Sequence, residues 1–271
     1  MQLLSLDEIK SIELKILLEI DDICEAQKIN YTLIGGSLLG AVRHSGFIPW
    51  DDDIDIAMPR YEYEQFLDYC ENNPTAFKMF SSRATDCWHL FSKAYDPETV
   101  IVDHNNHDDD VGIGVHVDIF PIDGLSNNLL ISKIRFLETA LLRELLVAKN
   151  WKKYYFSKTR SPKYELIRYP IFIVSRFIPA NPLKSIIVKI IKSYDFNKMN
   201  YVAVIPSTYR MREIVSKTVF SDYIRIDFED NKISAINQYD YYLKKIYGNY
   251  WVLPPEEKRK SHHNFDAYTL D

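Results

Sequence analysis

Apolar residues recur at helical spacing from the start of the chain. Ile9, Ile12, Ile16, Leu17, Ile20 and Ile23 mark one face of a helix predicted over residues 5–29, and Ser5 with Glu8 three residues on makes a capping box at its start. A short apolar run over 31–34 leads into Gly35-Gly36-Ser37, after which 38–42 reads as a short helix. In Asp53-Ile54-Asp55-Ile56-Ala57 acids alternate with aliphatic residues, the two-residue period of a half-buried strand. Pro59-Arg60 opens a helix through Tyr69 whose apolar face is Tyr63, Phe66 and Leu67. Short strands are predicted at 77–81, 90–95 and 100–102, and a longer alternating one at 115–120, after a polar loop at 103–110.

From residue 126 the helical period dominates, over 126–149, 164–177 and 183–199, with a basic and aromatic stretch at 151–164. Residues 169–194 mix Ile and Phe with Arg176, Lys184, Lys189 and Lys192. That composition serves packing helices, and it also serves a peripheral helix lying in a membrane interface. A hairpin is predicted from 219–226 and 232–235, then a helix over 238–247 that Gly248 stops, and Pro254-Pro255 begins an exposed tail. The class is α+β, a mixed sheet flanked by helices with an added, mostly helical lobe. The expected division is a catalytic core at 1–125, a helical lobe at 126–218 on the acceptor or membrane side, and a hairpin, helix and tail at 219–271 packing back on the core.

A net charge of −5 over 271 residues argues against a general nucleic-acid binder. Cys24, Cys70 and Cys87 are odd in number and lack a Cys-x-x-Cys spacing, which argues against a disulfide scaffold and fits a reducing cytoplasm. The first residues show no basic region followed by an apolar core, and no uncharged apolar run reaches membrane-spanning length. A cytoplasmic protein is expected, at most peripheral at the inner face of the cell membrane.

The chemistry concentrates in residues 33–57. Paired glycines at a strand–helix junction expose backbone N–H groups where a helix N-terminus attracts anions. Asp53 and Asp55 share one face of their strand and are hard oxygen ligands suited to Mg²⁺. Acids among Ile54, Ile56 and Trp50 are costly to bury unless paired or metal-bound. A phosphate cradle of Gly35, Gly36 and Ser37 close to a metal pair suggests phosphoryl or nucleotidyl transfer. Neither Gly-x-Gly-x-x-Gly nor a P-loop is present. Arg43, His44 and Arg60 are candidate counter-charges for phosphate, and Lys93, on a strand, is a candidate to neutralise charge in the transition state. Asp118 is a third carboxylate, as metal ligand or proton acceptor, with Asp51 and Asp52 in supporting positions. His104 and His107, beside Asp108, fall short of the four ligands of structural zinc and read as a polar loop at the site mouth.

Gly35-Gly36-Ser37-Leu38-Leu39-Gly40, Arg43-His44, the run from Gly46 through Pro49-Trp50-Asp51-Asp52-Asp53-Ile54-Asp55, and Met58-Pro59-Arg60 together resemble the LicD family. That family includes bacterial phosphocholine transferases and relatives of the fukutin domain. The similarity continues at Lys93, Thr99, Asp118-Ile119-Phe120-Pro121-Ile122-Asp123-Gly124, and in a tail from Tyr247-Gly248 through Arg259 to His262-His263. It is strong over 31–125 and 240–263 and loose between. The resemblance implies a nucleotidyltransferase-type fold in which Asp53, Asp55 and Asp118 converge on metal, two Mg²⁺ ions or Mn²⁺ in their place. It also implies a tail, with Arg259 and His262, that folds back over the nucleotide. The implied donor is CDP-choline or a similar CDP-alcohol, with CMP released. The implied acceptor is a sugar hydroxyl of a lipid-linked cell-surface glycan precursor of teichoic acid or lipopolysaccharide type. Trp50 is one of several aromatic faces that could hold the choline ammonium by cation–π attraction. Two alternatives stand beside this reading: a nucleotidyltransferase moving a nucleoside monophosphate from its triphosphate, and a catalytically silent glycan-binding module.

Overall fold

The helix marked by the first apolar stripe, α1 (Leu6–Gln27), forms with both halves of its capping box, Glu8 N–H donating to Ser5 Oγ and Ser5 N–H to Glu8 Oε2. The computed structural model describes residues 1–104, 112–151, 153–156, 162–259, 261 and 265–270; His107, Asp108, Lys260, His262 and His263 lie outside the described residues. Ile16, Leu17 and Ile20 of α1 are buried in the main core, which the helix shares with a seven-stranded sheet.

The sheet orders β1 (Thr32–Leu33), β2 (Ile54–Pro59), β6 (His116–Leu125), β4 (Ser92–Tyr95) and β3 (Lys78–Phe80) side by side. β2 and β6 run parallel, while β1 and β4 flank them antiparallel. A parallel neighbour needs a long crossover; this one contains α3 (Arg60–Asn72), β3, β4 and β5 (Thr99–Asp103). α2 (Gly35–His44) joins β1 to the loop before β2. Register then fixes the layout that matters for function: Asp55 lies opposite Asp118, and Asp118 opposite Lys93.

Two short strands fall inside the segment expected to be helical. β7 (Tyr201–Ala203) pairs with the far end of β6, and β8 (Val215–Ser216) pairs with β7, so this segment extends the sheet. Its helices are α4 (Leu129–Lys149), α5 (Pro162–Arg176) and α6 (Ala180–Ile191), the last ending well before residue 199. Phe136 and Leu146 of α4 meet Leu183, Ile187 and Ile191 of α6 in a second apolar cluster against Leu125 and Ala203. The expected hairpin forms from β9 (Tyr223–Phe228) and β10 (Asn231–Ile236), and Gly248, at φ 75°, ends α7 (Tyr239–Tyr247). In the tail, β11 (Phe265–Thr269) pairs antiparallel with β5, and Ala267 is buried against Ile9 and Val115. Among the described residues no single helix is long and apolar enough to cross a membrane.

Candidate active site

α2 begins at Gly35 itself, not after Ser37, and Ile34 at its N-cap supplies no side-chain hydrogen bond. The glycines are there because carboxylates crowd the helix start. Gly35 has φ 55°, and a Cβ on it would stand 3.2 Å from Asp55 Oδ2. A Cβ on Gly36 would stand 2.8 Å from Asp51 Oδ2, closer than a side chain tolerates. Ser37 is buried, and its Oγ accepts the Asp55 N–H at 2.8 Å, while Ile34 N–H donates to Asp55 O at 3.0 Å. Ser37, expected to cradle phosphate, uses an acceptor position of its oxygen to fix the peptide of the site's central acid.

Across the sheet, Asp55, Asp118 and Lys93 form a row on three adjacent strands. Lys93 Nζ lies 3.5 Å from Asp118 Oδ1 and 2.9 Å from His116 Nε2. His116 Nδ1 sits 2.9 Å from Gly114 O, which can only accept. This contact assigns the proton of a neutral ring to Nδ1 and leaves Nε2 to accept from Lys93. Asp118 Oδ1 is buried and accepts no hydrogen bond among the described residues. Asp51, Asp52 and Asp53 each turn a carboxylate oxygen to within 4.8 Å of the others, and Asp52 Oδ2 accepts from Ser261 Oγ at 2.7 Å. Burial, followed by the charges of Asp53, Asp118 and Asp51, holds the Asp55 carboxyl well above the usual carboxylate range, with Lys93 opposing.

A further acid is buried beside this group and was not foreseen. Glu13 of α1 is held well above its ordinary pKa by burial and by the charges of Asp53, Asp52, Asp118 and Asp55, and its Oε2 has no hydrogen-bond partner among the described residues. Its signal in the sequence is a carboxylate on the apolar stripe, four residues after Ile9 and four before Leu17. Hard oxygen donors that repel one another, with two buried oxygens lacking a donor, fit a divalent cation. The expected ligands are thus distributed over two groups: Asp55 and Asp118 face each other by register, and Asp53 gathers with Asp51 and Asp52, which had been given supporting positions.

The other expected residues occupy three places. At the far end of α2, Arg43 donates from Nη1 to Tyr250 O and from Nε to His44 Nε2, each at 2.9 Å. The His44 ring meets Trp50 edge-on at 6.3 Å, and the Arg259 guanidinium lies 5.8 Å over the Trp50 ring. With Ser261 on Asp52, these contacts bring the tail back onto the Trp50–Asp53 loop. Lys10 Nζ braces the same loop from α1, donating to Ile48 O and Pro49 O. Arg60 forks both oxygens of fully buried Asp123 at 2.7 Å, which ties its charge to the end of β6. His104 Nε2, just past β5, contacts Asp266 Oδ2 of β11 at 2.9 Å. Tyr209, which the sequence reading missed, walls the glycine end. The Tyr209 ring lies 3.8 Å from where a Gly35 Cβ would be, and its hydroxyl bonds that of Tyr247. Burial raises the Tyr209 hydroxyl to about 12, helped by the charges of Asp55, Glu213 and Asp53 against the Tyr247 bond.

The sequence profile described as LicD/FKTN/FKRP, nucleotidyltransferase domain, matches residues 28–139, the span holding Gly35, the acidic loop, Lys93 and Asp118. The chain is 30% identical over 277 aligned residues to the lipopolysaccharide cholinephosphotransferase LicD of Haemophilus influenzae, covering 100% of both chains. It is 34% identical over 101 residues to the ribitol 5-phosphate transferase FKRP of Mus musculus, a match spanning 36% of this chain and 18% of that one. To the Homo sapiens FKRP it is 53% identical over 36 residues, 13% of this chain and 7% of that one. With its acids aligned by strand register and its whole length matched to a LicD protein, the chain belongs to the LicD family.

Proposed function

We propose that the protein transfers a phospho-alcohol, phosphocholine foremost, from a CDP-alcohol to a sugar hydroxyl of a lipid-linked cell-surface glycan precursor and releases CMP. The observation that carries this reading is the Asp55–Asp118–Lys93 row set beside the Asp51–Asp53 cluster at the start of α2. Its family context points the same way, since the relatives named above transfer cholinephosphate and ribitol 5-phosphate.

Asp53, Asp55 and Asp118, with Asp51 and Asp52 adjoining, would hold Mg²⁺, which when bound neutralises phosphate charge and acidifies a bound hydroxyl. The amides of Gly35 and Gly36 donate to phosphate oxygens at the positive end of α2. Asp118, whose Oδ1 lies 3.5 Å from Lys93 Nζ, takes the proton of the attacking sugar hydroxyl. The hydroxyl oxygen bonds the choline-side phosphorus while the bond from that phosphorus to the bridging oxygen breaks, and CMP departs with that oxygen. Lys93, whose Nζ lies 2.9 Å from His116 Nε2, offsets the charge gathering on the transferred group. Arg259 over Trp50 brings a second cation to the rim, and other aromatic faces remain for the donor's ammonium head.

Product analysis tests the proposal. With CDP-choline, Mg²⁺ and choline-free lipopolysaccharide, CMP should appear in step with choline on the glycan. Pyrophosphate released from CTP, with CDP-choline untouched, would assign the site to nucleotidyl transfer instead.

A further inference from the structure

Helix α5 is built the wrong way round for a helix in water. Its polar residues Arg168 and Ser175 are inside, 7% and 0% exposed, whereas Leu166 and, just past the helix end, Phe177 stand 76% and 83% exposed. The inward guanidinium is well accommodated: it lies 4.5 Å over the Trp151 ring and 4.6 Å over Tyr155, and pairs with Glu165 at 3.2 Å. On α4, which packs against α5, Leu130, Ile134, Leu137 and Leu141 are all exposed. Their spacing of four, three and four residues makes one unbroken apolar stripe along that helix. Apolar stripes of this length on two neighbouring helices mark a surface that is covered in use.

Charge identifies the cover. Residues 126–198 hold fifteen Lys and Arg against four Asp and Glu, a formal +11 within a chain whose total is −5. Lys133 lies between Leu130 and Leu137 on the flank of the α4 stripe, Lys163 one turn before Leu166 on α5, and both are exposed, as are Lys153 and Lys189. Apolar stripes rimmed by lysine are the two attractions an anionic bilayer offers, whereas a second copy of the same +11 lobe would be repelled. We infer that the α4–α5 face docks in the plane of an anionic membrane surface. The sequence places the membrane-seeking composition at 169–194, but α6 turns Leu183, Ile187 and Ile191 into the lobe's own core, so the contact moves from α6 to α4. This inference stands apart from the transfer chemistry.

Sedimentation of the full chain with phosphatidylglycerol–phosphatidylcholine vesicles, without nucleotide or acceptor, tests it, and failure there leaves the transfer reaction standing. Binding should require phosphatidylglycerol and weaken as salt rises. Leu137→Asp with Phe177→Asp should lower partitioning roughly a hundredfold, about tenfold for each apolar side chain lost, with an unchanged melting curve. Should that variant fold poorly, Phe177→Trp supplies a second reading, its fluorescence quenched by brominated acyl chains on binding. Absence of binding to the anionic vesicles, full binding by the double variant or an unquenched signal from the introduced tryptophan would each overturn the inference. So would a concentration-dependent dimer that the double variant abolishes.

Discussion

Ser37→Ala separates two roles that one serine could play. The wild-type hydroxyl accepts the Asp55 N–H at 2.8 Å in a buried position, and the alanine leaves that N–H without its partner. An unpaired buried donor costs about 1–3 kcal/mol. The bond from Ile34 N–H to Asp55 O survives, so the strand is loosened and not released. For a chain of this size about 1–3 kcal/mol lowers the melting temperature by roughly 3–10 °C. Because the anchor belongs to the protein alone, the loss should appear in melts run with chelator and no nucleotide. Turnover should fall about ten- to a hundredfold through kcat, since an acid displaced by a fraction of an ångström spoils alignment, while KM for the donor changes little. An unchanged metal-free melt with a rise in KM alone would refute the anchoring role and return Ser37 to the phosphate.

Other perturbations follow from the same geometry. Asp55→Asn should abolish turnover yet leave the metal-free protein at least as stable at neutral pH, because burial and the charges of Asp53, Asp118 and Asp51 disfavour the native carboxylate; a lower melting temperature in chelator would contradict this. Glu213 is pushed up to about 7 by burial between Ser207 and Tyr242, so the folded state keeps a proton that the unfolded chain releases above its ordinary 4.5. Stability should therefore fall as pH rises from about 4.5 to 7, by up to about 3 kcal/mol, and Glu213→Gln should flatten that slope in urea melts at the two ends of the window. Arg60→Met strands the buried Asp123 carboxylate and should cost about 3–5 kcal/mol in urea unfolding. The folded fraction of that variant should keep its KM for the donor, against a direct phosphate role for Arg60.

What the sequence made legible is chemistry that acts over a few residues. Ser5 with Glu8 and the stop at Gly248 each announce themselves locally and are in place, and the alternation read at 53–57 becomes β2 from Ile54. Pairing across the chain is what local patterns do not carry. Lys93 and Asp118 each lie on an alternating strand, but only the antiparallel register of β4 on β6 sets them opposite. Arg60 reads as a phosphate ligand until Asp123, 63 residues on, claims it. Two-residue strands such as β8 have too few positions to show a period, and β11 draws its stability from β5, which precedes it by well over a hundred residues. Ser37 shows a subtler limit, since a small hydroxyl after paired glycines looks alike whether it serves a phosphate or a neighbouring peptide. Glu13 was visible as a polar break in an apolar stripe, with nothing nearby to name its company.

Thermal stability of the wild-type protein and Asp55→Asn, with and without Mg²⁺, against CDP-choline and CTP tests the central claim most directly, because a ligand that binds only the folded chain stabilises it without any acceptor, by about 2.7 kcal/mol at a hundred times its Kd. A Mg²⁺-dependent rise with CDP-choline that Asp55→Asn abolishes is the predicted result. A rise with CTP alone, or one with CDP-choline that Asp55→Asn leaves intact, would contradict the account.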